Sequence, residues 1–154
     1  MTAPSEPITI LMADDDADDR DLTAEALREC RWANNLRFVE DGRALLDYLN
    51  LRGAYAGPDA APRPALILLD LNMPGKNGCE ALAEIKADPR LRGIPVVAFT
   101  TSDADEDVRR AYDLGANSYV TKPITFDGLV AAMHTLGCYW LELVELPQAP
   151  GGAR

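Results

Sequence analysis

Histidine and cysteine are scarce in this chain of 154 residues, which has one histidine, His134, and three cysteines, Cys30, Cys79 and Cys138. No CxxC pair and no Cys/His ligand spacing occurs, so we expect no zinc site. An odd number of widely spaced cysteines also argues against a disulfide framework. A reduced, cytoplasmic setting is therefore predicted.

An excess of basic residues is also missing, since 15 Lys and Arg stand against 25 Asp and Glu and the formal net charge is −10. Nucleic-acid binding depends on Lys and Arg that neutralise phosphates, so we expect no nucleic-acid partner. No apolar run approaches the roughly 20 residues of a membrane span. The N-terminus lacks the basic and apolar regions of a signal peptide, and we expect no membrane partner.

The most informative segment of the sequence runs from Ala65 to Pro74, ALILLDLNMP. An uninterrupted apolar run of this length indicates a strand buried on both faces, as in a parallel sheet. Pro74 cannot donate a ladder hydrogen bond, so the strand should end before it. Asp70 then lies at the carboxyl end of a central strand, which is the edge where open α/β sheets bind ligands.

Strand and helix patterns alternate five times, which predicts an α/β domain with a five-stranded parallel sheet and helices on both faces. We expect one domain over residues 1–146 and a flexible tail over 147–154. Residues 53–64 are rich in Gly and Pro and predict a long exposed loop. Strands are predicted at 8–13, 36–40, up to 70, 94–99 and 118–121, and helices at 17–33, from 42, from 78 to about 88, from about 103 to 115, and at 126–144.

Two of the predicted helices carry more specific expectations. In the first helix, Leu22, Ala26, Cys30 and Ala33 share one face at helical spacing and should point inward. Ser102 or the residue after it should cap the fourth helix, because acidic residues follow in its first turn.

Four strand ends should bring polar side chains to one edge of the sheet: Asp14 and Asp15, Asp70, Thr100 and Lys122. Two unit charges about 4 Å apart interact by about 4 kcal/mol at an effective dielectric of 20, so gathered carboxylates need protons or a cation. Oxygen ligands favour Mg²⁺. A bound Mg²⁺ together with Lys122 would leave a cationic pocket beside Asp70, which suits a phosphoryl group. Helix capping, strand propensity or solvation could explain each of these residues by itself. Explaining all of them in this way would require a separate coincidence at each of the four strand ends.

With these residues the chain resembles the receiver domains of bacterial two-component response regulators, over about residues 8–136. The resemblance rests on the acidic pair after the first strand, on DLNMPGKNG from Asp70 to Gly78, on Thr100, and on Lys122-Pro123. It implies a flavodoxin-like (βα)5 doubly wound parallel sheet with strand order 2-1-3-4-5. It also implies a signalling phosphoacceptor, not an enzyme, that takes a phosphoryl group from a sensor histidine kinase.

The resemblance assigns a role to each site residue. Asp70 would be the phosphoacceptor, and Mg²⁺ would be held by Asp14, Asp15, Asp70 and the backbone carbonyl of Asn72. Lys122 would contact a phosphoryl oxygen, and its bond to the following proline is expected to be cis.

A conformational switch is also implied by this resemblance. Thr100 would donate to a phosphoryl oxygen and draw its loop inward, and Tyr119 would rotate into the space released. The new charge of up to about −2 would drive the change.

The end of the last predicted helix, CYWLELVELP, is apolar on more than one face. Because an exposed apolar patch usually marks an interface, we predict a homodimer through the fifth helix and this extension, with Trp140, Leu143 and Val144 in the interface. The long 53–64 loop, the GANSYVTKP run at 115–123 and this tail also resemble the single-domain regulators that partner bacterial phytochromes, which would make the upstream kinase a red/far-red photosensor.

Two other functions use parts of the same pattern. A Mg²⁺-dependent phosphohydrolase with Asp70 as nucleophile typically has a second Asp two residues later, where this chain has Asn72, which cannot transfer a proton usefully. A flavodoxin-type flavin carrier needs a Ser, Thr and Gly-rich phosphate loop after the first strand, where the DDDADD run would repel phosphate.

Overall fold

A computed structural model describes residues 8–29, 34–58, 60–73 and 77–143 of the chain. Five parallel strands form one sheet in the order β2-β1-β3-β4-β5, as predicted. The strands are β1 (Ile8–Ala13), β2 (Asn34–Val39), β3 (Leu66–Leu69), β4 (Val96–Thr100) and β5 (Ser118–Thr121). The central strands β3 and β4 are buried at every position, as their continuous apolar sequences predict.

The helices that connect these strands are α1 (Ala17–Glu29), α2 (Gly42–Leu49), α3 (Gly78–Ala87), α4 (Asp105–Asp113) and α5 (Phe126–Leu136). Local sequence explains several helix starts. The Asp41 side chain accepts from the backbone N–H of Ala44 and caps α2. Asn77 and Glu80 form a reciprocal capping box at the start of α3. In the described part of the chain, no helix is long and apolar enough to cross a membrane.

Two hydrophobic cores cover the two faces of the sheet. One joins the sheet to α2, α3 and α4 and includes Leu45, Leu82 and Ala111. The other joins it to α1 and α5 and includes Leu27 and Met133. This two-sided packing confirms the doubly wound α/β fold.

The register of the strands brings their carboxyl ends close together, with β4 continuing to Thr100, past Ala98, which is the partner of Leu69. Ala13, the last residue of β1, pairs with both Val39 and Leu69, the last residues of the two neighbouring strands. On the other side, Thr100 and Thr121 end β4 and β5 as a pair. The residues that follow these ends are therefore neighbours in space.

Two expectations about the helices and loops were wrong in detail. Leu22 is 45% exposed, because the inward stripe of α1 runs one residue later, through Thr23, Ala26 and Leu27. Cys30 and Ala33, which we expected on the same face, lie outside the described residues. The 53–64 loop is not wholly exposed: it contains a short 3₁₀ helix, Gly53–Tyr55, and its Ala61 is buried in the core.

Two further expectations concern helix ends. Ala104 occupies the N-cap of α4 without a side-chain bond, while the Ser102 hydroxyl donates to the Asp107 carboxylate at 2.5 Å. The last α-helix ends at Leu136, earlier than predicted, and continues as a π-helix, Gly137–Leu143. The change of hydrogen-bond pattern rotates the end of this helix, and Trp140 is buried in the α1/α5 core.

Candidate functional site

Three carboxylates meet where β1 and β3 end. The backbone N–H of Asp14 donates to Val39 at 3.1 Å, and that of Asp70 donates to Ala13 at 3.0 Å, which extends the sheet ladder by one residue. Both side chains are thereby held at the sheet edge. Carboxylate oxygens of Asp14, Asp15 and Asp70 lie within 4.8 Å of one another, which is close enough to hold one metal ion.

Lys122 follows β5 and completes this cluster. Its backbone N–H donates to the Thr100 carbonyl at 2.7 Å, which fixes the position of its Cα. Its side chain is 8% exposed, and Nζ donates to Asp14 at 2.6 Å, to Asp19 at 2.9 Å and to Asp70 at 3.0 Å. The ammonium group therefore compensates part of the negative charge that the predicted site gathers.

The electrostatics of the cluster follow from burial and pairing. Burial lowers the pKa of Lys122, but hydrogen bonds to Asp14 and Asp19 and the charge of Asp70 outweigh it and raise that pKa above its usual range. Burial raises the pKa of Asp14, and its bonds to Lys122 and to the Asp16 N–H offset part of this rise. Lys122 therefore stays cationic throughout the physiological pH range.

Asn72 and Thr100 continue the network from Asp70. The Asn72 backbone N–H donates to Asp70 Oδ1 at 2.9 Å, and its side-chain amide donates to the Thr100 hydroxyl at 3.3 Å. Thr100 is fully buried at the end of β4. Asn72 thus bridges the predicted phosphoacceptor and the predicted switch threonine.

Tyr119 lies one strand further along, partly buried in β5. Its hydroxyl donates to the Ser102 carbonyl at 2.8 Å, and burial raises its pKa. A cavity of about 180 Å³ reaches from Asn72 and Thr100 to Tyr119, and Cys79 also lines it. The two predicted switch residues therefore border the same empty space.

The Lys122–Pro123 bond is trans, which corrects the expected cis bond. Trans is the lower-energy form of X–Pro bonds by about 0.5–1 kcal/mol. From this geometry the Lys122 side chain reaches the carboxylates of Asp14, Asp19 and Asp70.

Two residues that contribute to the site were not singled out from the sequence. Asp19 contacts Lys122 from the first turn of α1, and it belongs to the DDDADD run that follows β1. Gly78 begins α3 against the loop after β3: a Cβ there would lie 2.4 Å from the Asp70 carbonyl oxygen. The Asn-Gly step at 77–78 was the available signal for such a close approach.

Of the three predicted dimer residues, the structure describes the side chain of Trp140 alone. Trp140 is 7% exposed and packs inside the chain's own α1/α5 core. The side chain of Leu143 and the whole of Val144 lie outside the described residues. The apolar character of this Trp is thus explained by folding within one chain.

A parallel 2-1-3-4-5 sheet with an acidic cluster and a lysine at its carboxyl edge defines a receiver domain. The chain belongs to the response regulator receiver domain family, whose sequence profile matches residues 10–134. It is 41% identical to response regulator Rcp1 of Synechocystis sp. over 143 residues, which are 93% of this chain and 95% of Rcp1. The crystal structure of the Mn²⁺-bound form of Rcp1 matches with a TM-score of 0.83 over 92% of this chain and 100% of that chain.

Two other solved structures are similar to this chain. The phosphorylated cyanobacterial phytochrome response regulator RcpA has a TM-score of 0.86 and 39% identity, covering 93% of this chain and 100% of its own. Response regulator RPA3017, in red light signalling of R. palustris, has a TM-score of 0.87 and 34% identity, covering 92% and 99%. These similarities confirm the predicted resemblance to phytochrome-associated response regulators.

Proposed function

We propose that Asp70 accepts a phosphoryl group from the phosphohistidine of a sensor kinase. The observation that carries this proposal is the position of its carboxylate, with Oδ1 bound to the Asn72 N–H and Oδ2 bound to Lys122. In the transfer, an Asp70 oxygen bonds to phosphorus as the P–N bond breaks, and the electron pair of that bond stays on the imidazole nitrogen. Lys122 stabilises the charge of the phosphoryl oxygens.

A divalent cation fits beside this nucleophile. The oxygen-only ligand set of Asp14, Asp15 and Asp70, with the backbone carbonyl of Asn72, has the chemistry that Mg²⁺ prefers. The metal would neutralise charge on the phosphoryl group when bound. Asp15 is exposed, so it can turn towards an ion from solvent.

We further propose that phosphorylation acts through Thr100 and Tyr119. The Thr100 hydroxyl accepts from the Asn72 amide and keeps its own O–H to donate to a phosphoryl oxygen, and a move of Thr100 towards that oxygen would change the cavity that Tyr119 borders. Tyr119 would then exchange its bond to the Ser102 carbonyl for a position inside that cavity.

The partner we propose is a phytochrome-type histidine kinase in the cytoplasm. Support comes from the relatives, of which RcpA is a phytochrome response regulator. The free thiols of Cys79 and Cys138 agree with a reducing compartment. A homodimer through α5 and the C-terminal extension stays a prediction, and it would have to use residues other than the buried Trp140.

Phosphohydrolase activity is less well supported by the site. The Asn72 side chain donates its amide to Thr100 and offers no ionisable group to protonate a leaving alcohol. One phosphoryl group per chain, without turnover of phosphomonoesters, is the expected behaviour.

The test is phosphorylation with a small phosphodonor, acetyl phosphate, and with a phytochrome kinase carrying labelled phosphohistidine, both in Mg²⁺. We expect one label on the wild-type chain, none on Asp70→Asn, and normal labelling of Asp113→Asn, which removes an exposed carboxylate of α4. The label should be released by hydroxylamine, as an acyl phosphate is. Equal labelling of Asp70→Asn and the wild type would overturn the assignment.

A further inference from the structure

All three N–H donors of the Lys122 ammonium group have hydrogen-bond acceptors. An ammonium carries three N–H donors, and Nζ of Lys122 lies within hydrogen-bond distance of three carboxylates, those of Asp14, Asp19 and Asp70. A phosphoryl oxygen on Asp70 can therefore receive a bond from Lys122 only if one of these carboxylates gives up its own.

The three partners are not held equally. Oδ1 of Asp14 also accepts from the Asp16 N–H, and Oδ1 of Asp70 accepts from the Asn72 N–H, both at 2.9 Å. Their side chains are 0% and 10% exposed at strand ends. Asp19 is on helix α1 and its side chain is 36% exposed, so its carboxylate can turn into water at little cost.

We propose that Asp19 is a releasable partner of Lys122, which a phosphoryl group on Asp70 displaces. The proposal rests on the proposed phosphoacceptor function and adds a residue that regulates it. Asp19 stabilises the unphosphorylated chain by binding Lys122, and in the phosphorylated chain its negative charge is left near the phosphoryl group. Both effects lower the affinity of the site for phosphoryl, so Asp19 is a positioning residue that limits loading.

The expected size of the effect follows from the exposure of the pair. A partly exposed ion pair contributes up to about a fivefold change in an equilibrium constant. Removal of one nearby negative charge acts in the same direction, so Asp19→Asn should bind a phosphoryl mimic about five- to tenfold more tightly. The gain should shrink at high salt, since the pair is near the surface.

The experiment is a titration of the full chain with beryllium trifluoride in saturating Mg²⁺, followed by fluorine NMR, at low and high salt. Asp19→Asn is compared with Asp21→Asn, which removes one exposed charge from the same helix. Asp19→Glu should return the affinity towards that of the wild type. Urea unfolding of each variant separates a change in binding from a change in stability.

The outcomes separate this proposal from the function on which it rests. Tighter binding by Asp19→Asn alone, lost at high salt, supports it. If the wild-type chain binds the mimic and Asp19→Asn and Asp21→Asn bind it with equal affinity, only the role of Asp19 is overturned. A wild-type chain that binds no mimic, or an Asp70→Asn variant that binds it equally, overturns the phosphoacceptor function and this proposal together.

Discussion

The stability of the acidic cluster should depend on one ammonium group, and Lys122→Met tests this. The substitution keeps most of the side-chain volume but leaves Asp14 and Asp70 buried without their cation. Removing one partner of a buried ion pair costs about 3–5 kcal/mol. Because Asp19 is partly exposed and can hydrate, we expect a loss of about 3 kcal/mol in the free energy of unfolding.

The measurement is urea and thermal unfolding at pH 7 in EDTA. For a chain of this length, about 3 kcal/mol lowers Tm by roughly 6–12 °C. Metal binding gives a second readout, because a cation and Lys122 neutralise the same carboxylates and weaken each other's binding. We expect Lys122→Met to bind Mg²⁺ about tenfold more tightly than the wild type, a coupling of about 1.4 kcal/mol.

Lys86→Met is the matched control for this prediction. Lys86 is half-buried, and its Nζ donates to the neutral oxygens of Arg92, Ile94 and Asn117 rather than to carboxylates. Its substitution removes the same charge and several hydrogen bonds but should leave Mg²⁺ affinity unchanged. If Lys122→Met were as stable as the wild type in EDTA and bound Mg²⁺ equally, the carboxylates would not be held together by Lys122.

Three further predictions test the surroundings of the site. Gly78→Ala should lower the free energy of unfolding by about 1–3 kcal/mol in urea and slow phosphorylation, because the new Cβ meets the backbone of Asp70 at 2.4 Å. In the control, Gly93→Ala, the new Cβ meets nothing within 4 Å, so the free energy of unfolding should change by less than about 0.5 kcal/mol. Burial raises the pKa of Cys79. In a variant that keeps only this cysteine, we therefore expect iodoacetamide to react at pH 8 about tenfold more slowly with the folded chain than with the chain in urea. Equal rates would refute the shielding of the thiol. Trp140→Ala should lose about 3–5 kcal/mol of stability by urea unfolding, since the ring belongs to the chain's own core; a changed mass in sedimentation with unchanged stability would instead place this side chain in a dimer interface.

The amino-acid sequence by itself determined the order of strands and helices and the edge at which the chemistry gathers. Continuous apolar runs specify buried parallel strands, and a polar residue directly after such a run must lie at the carboxyl edge. Asp14, Asp70 and Lys122 could therefore be predicted as neighbours, although 108 positions separate the first and the last. The capping box at Asn77 was equally local, because its two partners are three residues apart.

Only the tertiary structure decided which side chains share a partner and which face each helix buries. The third carboxylate on Lys122 comes from Asp19, whose direction is set by the rotation of α1 about its own axis. The same rotation exposes Leu22 and buries Thr23 in its place. Trp140, in the π-helix Gly137–Leu143, is likewise buried in the core that α1 and α5 share. These outcomes follow from packing between elements distant in the chain, which local periodicity cannot specify.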